Sequence, residues 1–269
     1  MIRKLLFAAI AALALNTAVV ASAEARDLDK IISSGVLNVG VNPTIPPLAK
    51  YNEKNELVGF DVDFAQEIAK MLGVQLKLVV VGSADRIPFV TSGKIDFVMG
   101  AMTRSPERAK VIDFTVPAHT EVLGVLTTSK HDYSDWRKLN RPDVTFVEIR
   151  GSTSVKFIED NLPKAKMTQV DSWPDAVRAL AQGRGTAMME VLDFMGEHTA
   201  KYPDIKWKVV ENPINIYYCG LGVAKNSAGL RDWLNVAIFE IHRSGKTNEL
   251  WKKWFGIDML KPVQSTPYF

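Results

Sequence analysis

The sequence predicts an α/β protein built as two lobes, and three observations support that prediction. Segments rich in β-branched and aliphatic residues alternate with segments whose apolar residues recur at helical spacing, along most of the 269 residues. The apolar fraction of 47% and the charged fraction of 23% are typical of soluble globular proteins, which excludes a disordered chain or a multi-span membrane protein. The chain is also long enough for two modest domains, each with an ordinary hydrophobic core.

The first residues have the order of a secretory signal peptide. Arg3 and Lys4 precede an apolar run over residues 5–20, and Ala21-Ser22-Ala23 provides a small-residue cleavage site. The alternative is a membrane anchor, but the run is shorter than the ~20 residues that usually span a bilayer. The sequence therefore predicts a cleaved signal peptide over residues 1–23 and export to the periplasm.

The next part of the chain predicts βα units that feed a largely parallel sheet. The predicted strands are 36–41, 76–81 and 95–99, and a helix is predicted over 59–73. Asp61 or Asp63 can cap the start of this helix, and Gly73 suits the position after its end.

The rest of the chain repeats the pattern of alternating strands and helices. Strands are predicted at 144–149, 187–191 and 220–224, and helices at 153–162, 173–182, 230–244 and 248–255. Segments 122–127 and 217–223 are the predicted strands that cross between the two lobes.

Charge and cysteine content exclude several classes of function. The formal net charge is +3, from 33 Lys and Arg against 30 Asp and Glu, which is too mild to indicate a nucleic-acid partner. The single cysteine, Cys219, excludes an internal disulfide and a cysteine-based zinc cluster. The four histidines show no metal-ligand spacing, and no nucleotide-binding or serine-nucleophile motif occurs. We therefore expect no metal, no cofactor and no catalytic residue.

Four stretches together resemble a known family. They are Leu28-Asp-Lys-Ile-Ile-Ser-Ser-Gly-Val-Leu-Asn-Val-Gly40, Gly59-Phe-Asp-Val-Asp-Phe-Ala65, the segment from Arg86-Ile-Pro-Phe through Thr103-Arg-Ser-Pro-Glu-Arg108 to Asp113-Phe-Thr-Val-Pro117, and Trp254-Phe-Gly256. The chain resembles the periplasmic solute-binding proteins of polar amino-acid ABC transporters, which are bacterial solute-binding protein family 3. The resemblance covers the chain after the signal peptide, in the family's order.

The resemblance implies both a fold and a function. The implied fold is the type II periplasmic-binding-protein fold, with two crossing hinge strands and a ligand cleft between the lobes. Lobe 1 is then discontinuous, with residues 24–121 and 222–269, and lobe 2 spans 122–221 and includes the hinge strands. The implied function is capture of a small polar solute by hinge closure, expected to be an amino acid and of the acidic type. The implied partner is an ABC permease in the inner membrane, and we expect a monomer that is not an enzyme.

A second resemblance leaves an enzymatic alternative open. Residues 28–31 and Gly151-Ser-Thr-Ser-Val-Lys-Phe157 also resemble periplasmic cyclohexadienyl (prephenate or arogenate) dehydratases. Such an enzyme needs a cleft acid that protonates a leaving hydroxyl. The branch carries a glutamate soon after Met-Met, where this chain has Phe194, so Glu190 or Asp193 would have to serve.

Arg108 is the strongest candidate for a ligand-binding residue. An arginine fork pairs two N–H donors with two carboxylate oxygens and stays charged at any working pH. Read alone, Arg108 is equally compatible with a solvated surface arginine. The Thr-x-x-Pro-Glu-Arg context implies, by resemblance, that it holds the α-carboxylate of the ligand, with the Thr103 hydroxyl and the Ala101 backbone beside it.

Two further segments predict anion contacts. Ser152 and Thr153 lie between a predicted strand and a predicted helix, where unpaired N–H groups can bind an anion, although simple helix capping is the alternative. Arg86 resembles an arginine of the acidic amino-acid branch that meets a side-chain carboxylate. Its alternative is a structural ion pair with Asp85 or Asp96.

The departures from the family's pattern bear on the ligand. Ile45 and Ser83 stand where the family often has aromatic residues, so a cationic or aromatic ligand is expected to lose stacking partners. Val191 stands where the family places the aspartate that holds the ligand's ammonium group. Glu190 and Asp193 flank this position, and either is a candidate to replace the aspartate.

Overall fold

The structure is a computed structural model that describes residues 25–264. The signal peptide predicted over residues 1–23 lies outside the described residues.

Strands alternate with helices along the described residues, as predicted. The strands are β1 (Val36–Val41), β2 (Lys50–Tyr51), β3 (Leu57–Val58), β4 (Gln75–Val80), β5 (Phe97–Val98), β6 (Ile112–Thr128), β7 (Thr145–Ile149), β8 (Lys166–Val170), β9 (Ala187–Val191) and β10 (Trp207–Ala224). The helices are α1 (Leu28–Ser34), α2 (Phe60–Leu72), α3 (Arg86–Thr91), α4 (Pro106–Ala109), α5 (Thr153–Asn161), α6 (Trp173–Ala181), α7 (Met195–Thr199), α8 (Ala228–Arg243) and α9 (Lys246–Phe255). Two short 3₁₀ helices cover Trp136–Leu139 and Leu192–Phe194.

The sheet topology divides the molecule into two lobes. The large sheet has the order β4-β1-β5-β10-β6-β9-β7-β8. In lobe 1, β1 pairs in parallel with β4 and β5, and in lobe 2, β7 pairs in parallel with β8 and β9. The mixed order agrees with the α/β class, since parallel neighbours require crossover connections, which helices supply.

The two crossing strands are much longer than the segments predicted for them. Strand β6 has 17 residues and β10 has 18, and they pair antiparallel from Trp207 opposite Thr128 to Ala224 opposite Ile112. The pairing shifts register between Val210 and Asn215 and around Gly220. Such irregularities bend a strand locally. They lie on the pair of strands that joins the β4-β1-β5 part of the sheet to the β9-β7-β8 part.

The start of helix α2 differs from the sequence-based expectation. Gly73 ends the helix in the left-handed conformation, as predicted, but the N-cap residue is Gly59 and no side chain caps the first turn. Asp61 is fully buried and accepts a hydrogen bond from the Gly100 N–H at 2.8 Å. Asp63 accepts hydrogen bonds from Lys253 and Trp254 of α9. The prediction that either aspartate caps α2 is therefore wrong, because tertiary partners engage both carboxylates.

Helix α9 closes the core of lobe 1. Trp251 is fully buried and stacks on Phe255 with the ring centroids 3.8 Å apart, and Phe60 of α2 meets it edge to face. Aromatic contacts of this kind stabilise a core beyond the burial of area. None of the helices within residues 25–264 combines the length and the apolar run needed to cross a bilayer.

Candidate functional site

The segment that carries Arg108 is fixed against a crossing strand. Pro106 occupies the first turn of α4, and Ser105 caps it by accepting a hydrogen bond from the Arg108 N–H at 3.3 Å. Just before this turn, Thr103 forms a β-bridge with Cys219 of β10. These local contacts hold the Arg108 side chain at the boundary between the lobes.

The Arg108 guanidinium bridges the two lobes. Its Nη1 donates to the Thr103 carbonyl in lobe 1, and its Nη2 donates to the Gly151 carbonyl in lobe 2, each at 2.9 Å. Burial lowers the pKa of Arg108, whereas Cys219 and Glu121 raise it. A guanidinium has five N–H donors, so these two bonds leave donors for an anion.

Arg86 lies at the start of α3 and is 2% exposed. Its Nε donates to the Ser83 carbonyl at 3.0 Å, and its Nη1 donates to the carbonyls of Gly100 and Ala101. Burial lowers its pKa, and the neighbouring Arg108 lowers it further. Because carbonyl oxygens are neutral, these hydrogen bonds do not balance the positive charge of Arg86, and an anion in the cavity can pair with it.

The predicted alternative for Arg86, an ion pair with Asp85 or Asp96, is wrong. Asp96 instead forms an ion pair with Arg26 and accepts from the Asn38 N–H. No ion pair joins Asp85 to Arg86 within the part of the chain that the structure describes.

The loop that receives Arg86 is shaped by Asp61. Gly100 and Ala101 both have positive φ, 82° and 57°, and Ala101 is one of two non-glycine residues with positive φ among residues 25–264. Asp61 holds the Gly100 N–H while the Gly100 carbonyl faces Arg86. Burial raises the pKa of Asp61 to about 7. The aspartate of the Gly-Phe-Asp motif therefore holds the loop at Gly100 and does not cap helix α2.

The start of helix α5 forms the opposite wall. Ser152 is the N-cap residue, but its side chain makes no capping bond and its Oγ is buried without a partner. The Thr153 side chain lowers the pKa of the Tyr217 hydroxyl against the raising effect of burial. The capping alternative is therefore wrong for the Ser152 side chain, whose hydroxyl and neighbouring N–H groups remain available.

Strand β9 carries the residues predicted to replace the ammonium-binding aspartate. Glu190 and Val191 line the cavity described below, and the Glu190 Oε1 accepts from the Val191 N–H at 2.7 Å. Asp193 lies in the following 3₁₀ turn, where its Oδ1 accepts from the Leu260 N–H, and it does not line the cavity. Of the two candidates, only Glu190 lines the same cavity as Arg108.

One cavity of about 400 Å³ of empty space, open to solvent, collects these side chains between the lobes. Seven of the eight predicted site residues line it, and they are Arg86, Ala101, Thr103, Arg108, Ser152, Thr153 and Glu190.

Other lining residues were not predicted as site residues, and Glu121, Trp173, Phe194 and Tyr217 are among them. A charged residue directly before the apolar run 122–127 was the available signal for Glu121. The Trp173 Nε1 is buried without a partner. The expected loss of stacking partners at Ile45 and Ser83 stays a prediction, and aromatic rings enter the cavity from α6, the 3₁₀ turn and β10 instead.

At two positions where the family often has aromatic residues, this chain has Ile45 and Ser83. Ile45 is fully buried in the lobe 1 core, and the Ser83 hydroxyl accepts from the Asn42 side chain at 3.0 Å. Neither lines the cavity.

A second buried acid, Glu148, supports the lobe 2 wall from the core. Its Oε1 accepts from the Met189 N–H at 2.7 Å, while its Oε2 has no partner. Burial raises the pKa of Glu148 well above its ordinary value, and the neighbouring Glu190 adds to this effect. Burial therefore favours the protonated form of Glu148.

Three potential metal donors meet on the crossing strands. His119, Glu121 and Cys219 are buried, and their donor atoms lie within 4.8 Å of one another. Sequence spacing missed this cluster because Cys219 comes from the partner strand, opposite His119. Burial and Glu121 raise the pKa of the Cys219 thiol well above its ordinary value, and Arg108 places a positive charge close to it. A protonated thiol beside a guanidinium disfavours a resident cation.

Comparison with known proteins defines the class. Residues 37–257 match the profile of the bacterial extracellular solute-binding proteins, family 3. The chain belongs to this family, and its fold is the two-lobed type II periplasmic-binding-protein fold.

Individual relatives differ in the amino acid named for them. The chain is 28% identical to the glutamate/aspartate import solute-binding protein of Escherichia coli (strain K12), covering 92% of this chain and 87% of the relative. It is also 28% identical to the ABC transporter arginine-binding protein 1 of the same strain, covering 81% of this chain and 90% of the relative. Among solved structures, the ancestral amino acid-binding protein AncCDT-1, a precursor of cyclohexadienyl dehydratase, matches with a TM-score of 0.78 at 30% identity, covering 85% of this chain and 99% of that chain.

Proposed function

We propose that the protein captures an L-amino acid between its lobes and presents it to the permease of an ABC importer in the inner membrane. The observation that carries this proposal is the Arg108 guanidinium, which contacts both lobes inside the cavity and keeps N–H donors free for a carboxylate. The names of the two relatives described above, a glutamate/aspartate import solute-binding protein and an ABC transporter arginine-binding protein, support the class of ligand.

The α-carboxylate binds between Arg108 and the start of α5. Arg108 offers a two-pronged charge-assisted contact, and the buried Ser152 hydroxyl has no competing partner. Helix α5 begins at Thr153, which lines the same cavity, and the unpaired N–H groups and dipole of a helix start favour an anion.

Arg86 is the group proposed to select the ligand's side chain. It is a second buried guanidinium in the same cavity, and its observed partners are neutral carbonyls. A ligand with a second carboxylate would neutralise this charge, whereas a cationic side chain would be repelled by both arginines. An acidic amino acid therefore fits the charges best.

Capture requires no covalent step. The lobes, with lobe 1 formed by residues 24–121 and 222–269 and lobe 2 by 122–221, would close by bending at β6 and β10. The working form is proposed to be a monomer in the periplasm, exported by the signal peptide over residues 1–23.

The dehydratase alternative has weaker support. It draws on the one ancestral neighbour described as a precursor of such an enzyme. At the position where the dehydratase branch has its acid, this chain has Phe194, which is fully buried and lines the cavity. A phenyl ring cannot protonate a leaving hydroxyl. Turnover of prephenate by the purified protein would overturn the transport proposal.

The test compares two arginines of one segment. Arg108→Ala removes the proposed carboxylate ligand, and Arg104→Ala, four residues earlier on an exposed side chain, is the matched control. Isothermal titration and thermal shift with the twenty L-amino acids identify the ligand of the wild type, since a ligand that binds the native state raises the melting temperature.

We expect Arg108→Ala to weaken binding by at least ~100-fold, as loss of a buried charge-assisted pair does, and Arg104→Ala to bind like the wild type. Both variants should keep the circular dichroism spectrum of the folded protein. Equal affinity of Arg108→Ala and the wild type would show that the carboxylate site is misplaced.

A further inference from the structure

Glu121 is a buried carboxylate in the ligand cavity that the carboxylate site does not use. It lies on β6 and is 3% exposed. Its Oε1 is 3.3 Å from the His119 Nε2, and a carboxylate oxygen lies within 4.8 Å of the Cys219 Sγ. Within residues 25–264, no lysine or arginine nitrogen lies within salt-bridge distance of it. Its charge is therefore not cancelled by a fixed cation of the cavity.

The charge of Glu121 nevertheless reaches both guanidiniums. It raises the pKa of Arg86 and that of Arg108, in each case against the lowering effect of burial. It also raises the pKa of Tyr217 and of Cys219. Glu121 is thus near the two arginines without being bonded to either.

The other lining acid is placed differently. The Glu190 Oε1 is bound to the Val191 N–H at 2.7 Å, and Glu190 acts on Glu148 in the core of lobe 2, whose pKa it raises. Glu190 is thus engaged with its own strand and with the core of lobe 2.

We propose that Glu121 accepts the α-ammonium group of the ligand while Arg108 holds the α-carboxylate. The proposal rests on the proposed function and deepens it. In an amino acid the two charged groups are separated by one carbon, so the acceptor must lie near the guanidinium without pairing with it. Glu121 meets this requirement, and it supplies the anion that Val191 cannot.

The energetics favour such a role. Burial of the Glu121 carboxylate carries a desolvation penalty, and its ion-pair partner among residues 25–264 is His119, which is a cation only when it is protonated. An entering ammonium group is a permanent cation and gains a charge-assisted hydrogen bond in a low-dielectric site. Glu121 also lies on a crossing strand, so the ammonium group would be held at the hinge and the carboxylate between the lobes.

The test uses pairs of probes that differ only by the α-amino group. They are L-glutamate and glutarate, L-glutamine and glutaramate, L-cysteine and 3-mercaptopropionate, and L-arginine and 5-guanidinopentanoate. The pair whose amino acid binds the wild type most tightly is then titrated into Glu121→Gln and into the matched control Glu190→Gln.

We expect Glu121→Gln to weaken binding of the amino acid by roughly 10- to 100-fold and binding of its des-amino partner by less than about 3-fold. Glu190→Gln should change the two affinities by the same factor. Equal losses for both probes in Glu121→Gln, or a selective loss in Glu190→Gln, would overturn the assignment. Wild-type protein that binds no amino acid at all would instead refute the proposed function, and the assignment with it.

A second measurement covers a Glu121→Gln variant that does not fold. In a crystal structure of the wild type with the selected amino acid, the ligand nitrogen should lie within about 3.2 Å of a Glu121 oxygen. A nitrogen that contacts Glu190 or solvent instead would rule the assignment out.

Discussion

Replacing Asp61 by Asn should change how the protein's stability depends on pH. Asp61 is fully buried, its Oδ2 accepts from the Gly100 N–H, and its Oδ1 is buried without a partner. Burial is the main reason that its pKa rises from 3.8 to about 7. The native state therefore keeps a proton on Asp61 at pH values where the unfolded chain has released it.

The size and sign of the effect follow from this difference. Each unit between the native and unfolded pKa corresponds to about 1.4 kcal/mol, so the full effect is about 4 kcal/mol. Because the native pKa is the higher one, the stabilising contribution is complete below pH 4 and is lost as the pH rises to about 7. Between pH 5 and pH 8 the wild type should lose about 2.5 kcal/mol that Asp61→Asn does not lose.

The assay is urea unfolding of the ligand-free protein from pH 5 to pH 8, followed by tryptophan fluorescence and circular dichroism. The asparagine can still accept from the Gly100 N–H, so the variant should fold. Ser152→Ala removes no titratable group and should follow the wild type at every pH. The reasoning fails if Asp61→Asn also runs parallel to the wild type, or if the wild type gains stability over the variant as the pH rises.

Two further outcomes are expected. Gly59→Ala should destabilise the protein by more than about 3 kcal/mol, because φ at Gly59 is 143° and a Cβ there would lie 2.3 Å from the Leu48 carbonyl oxygen. The control Gly73→Ala, where φ is 73° and the surrounding space is open, should lose only about 1 kcal/mol. Equal urea midpoints for the two variants would contradict this prediction. Aspartate or glutamate should bind more tightly than lysine or arginine in isothermal titration, and Arg86→Gln should reduce this difference in affinity. Tighter binding of a basic amino acid to the wild type would refute the role given to Arg86.

The periodicity of apolar residues was sufficient to predict those strands and helices that are determined by their local sequence. Strand β1 and strand β9 have the predicted bounds, and helices α5 and α6 each end one residue before the predicted end. The long crossing strands were predicted only in their apolar parts. The remainder of β6 and β10 is polar or contains proline, and it is held in strand conformation by mutual pairing rather than by local preference.

The residues of the candidate site also fall into two groups, those that the local sequence predicts and those that only the folded sheet brings together. Arg108, Thr103 and Ser152 could be predicted because each lies in a contiguous motif at the start of a helix or beside one. Glu121 and Tyr217 could not be combined in advance, because they lie on different strands whose register only the folded sheet defines. Asp61 was misassigned as a cap because a carboxylate at a helix start fits capping by propensity, whereas the buried Gly100 N–H is a stronger competitor.

Binding and closure depend on the same few atoms. Gly151 has φ 77°, and a Cβ there would lie 3.2 Å from the Ala84 Cα, so the two lobes meet at a position that only a glycine fits without adjustment. The Gly151 carbonyl is also the lobe 2 acceptor for Arg108. The ligand carboxylate would bind beside this contact, between the arginine of one lobe and the helix start of the other. Because it gains both sets of bonds only when the lobes are together, it binds that arrangement with higher affinity and shifts the population toward it.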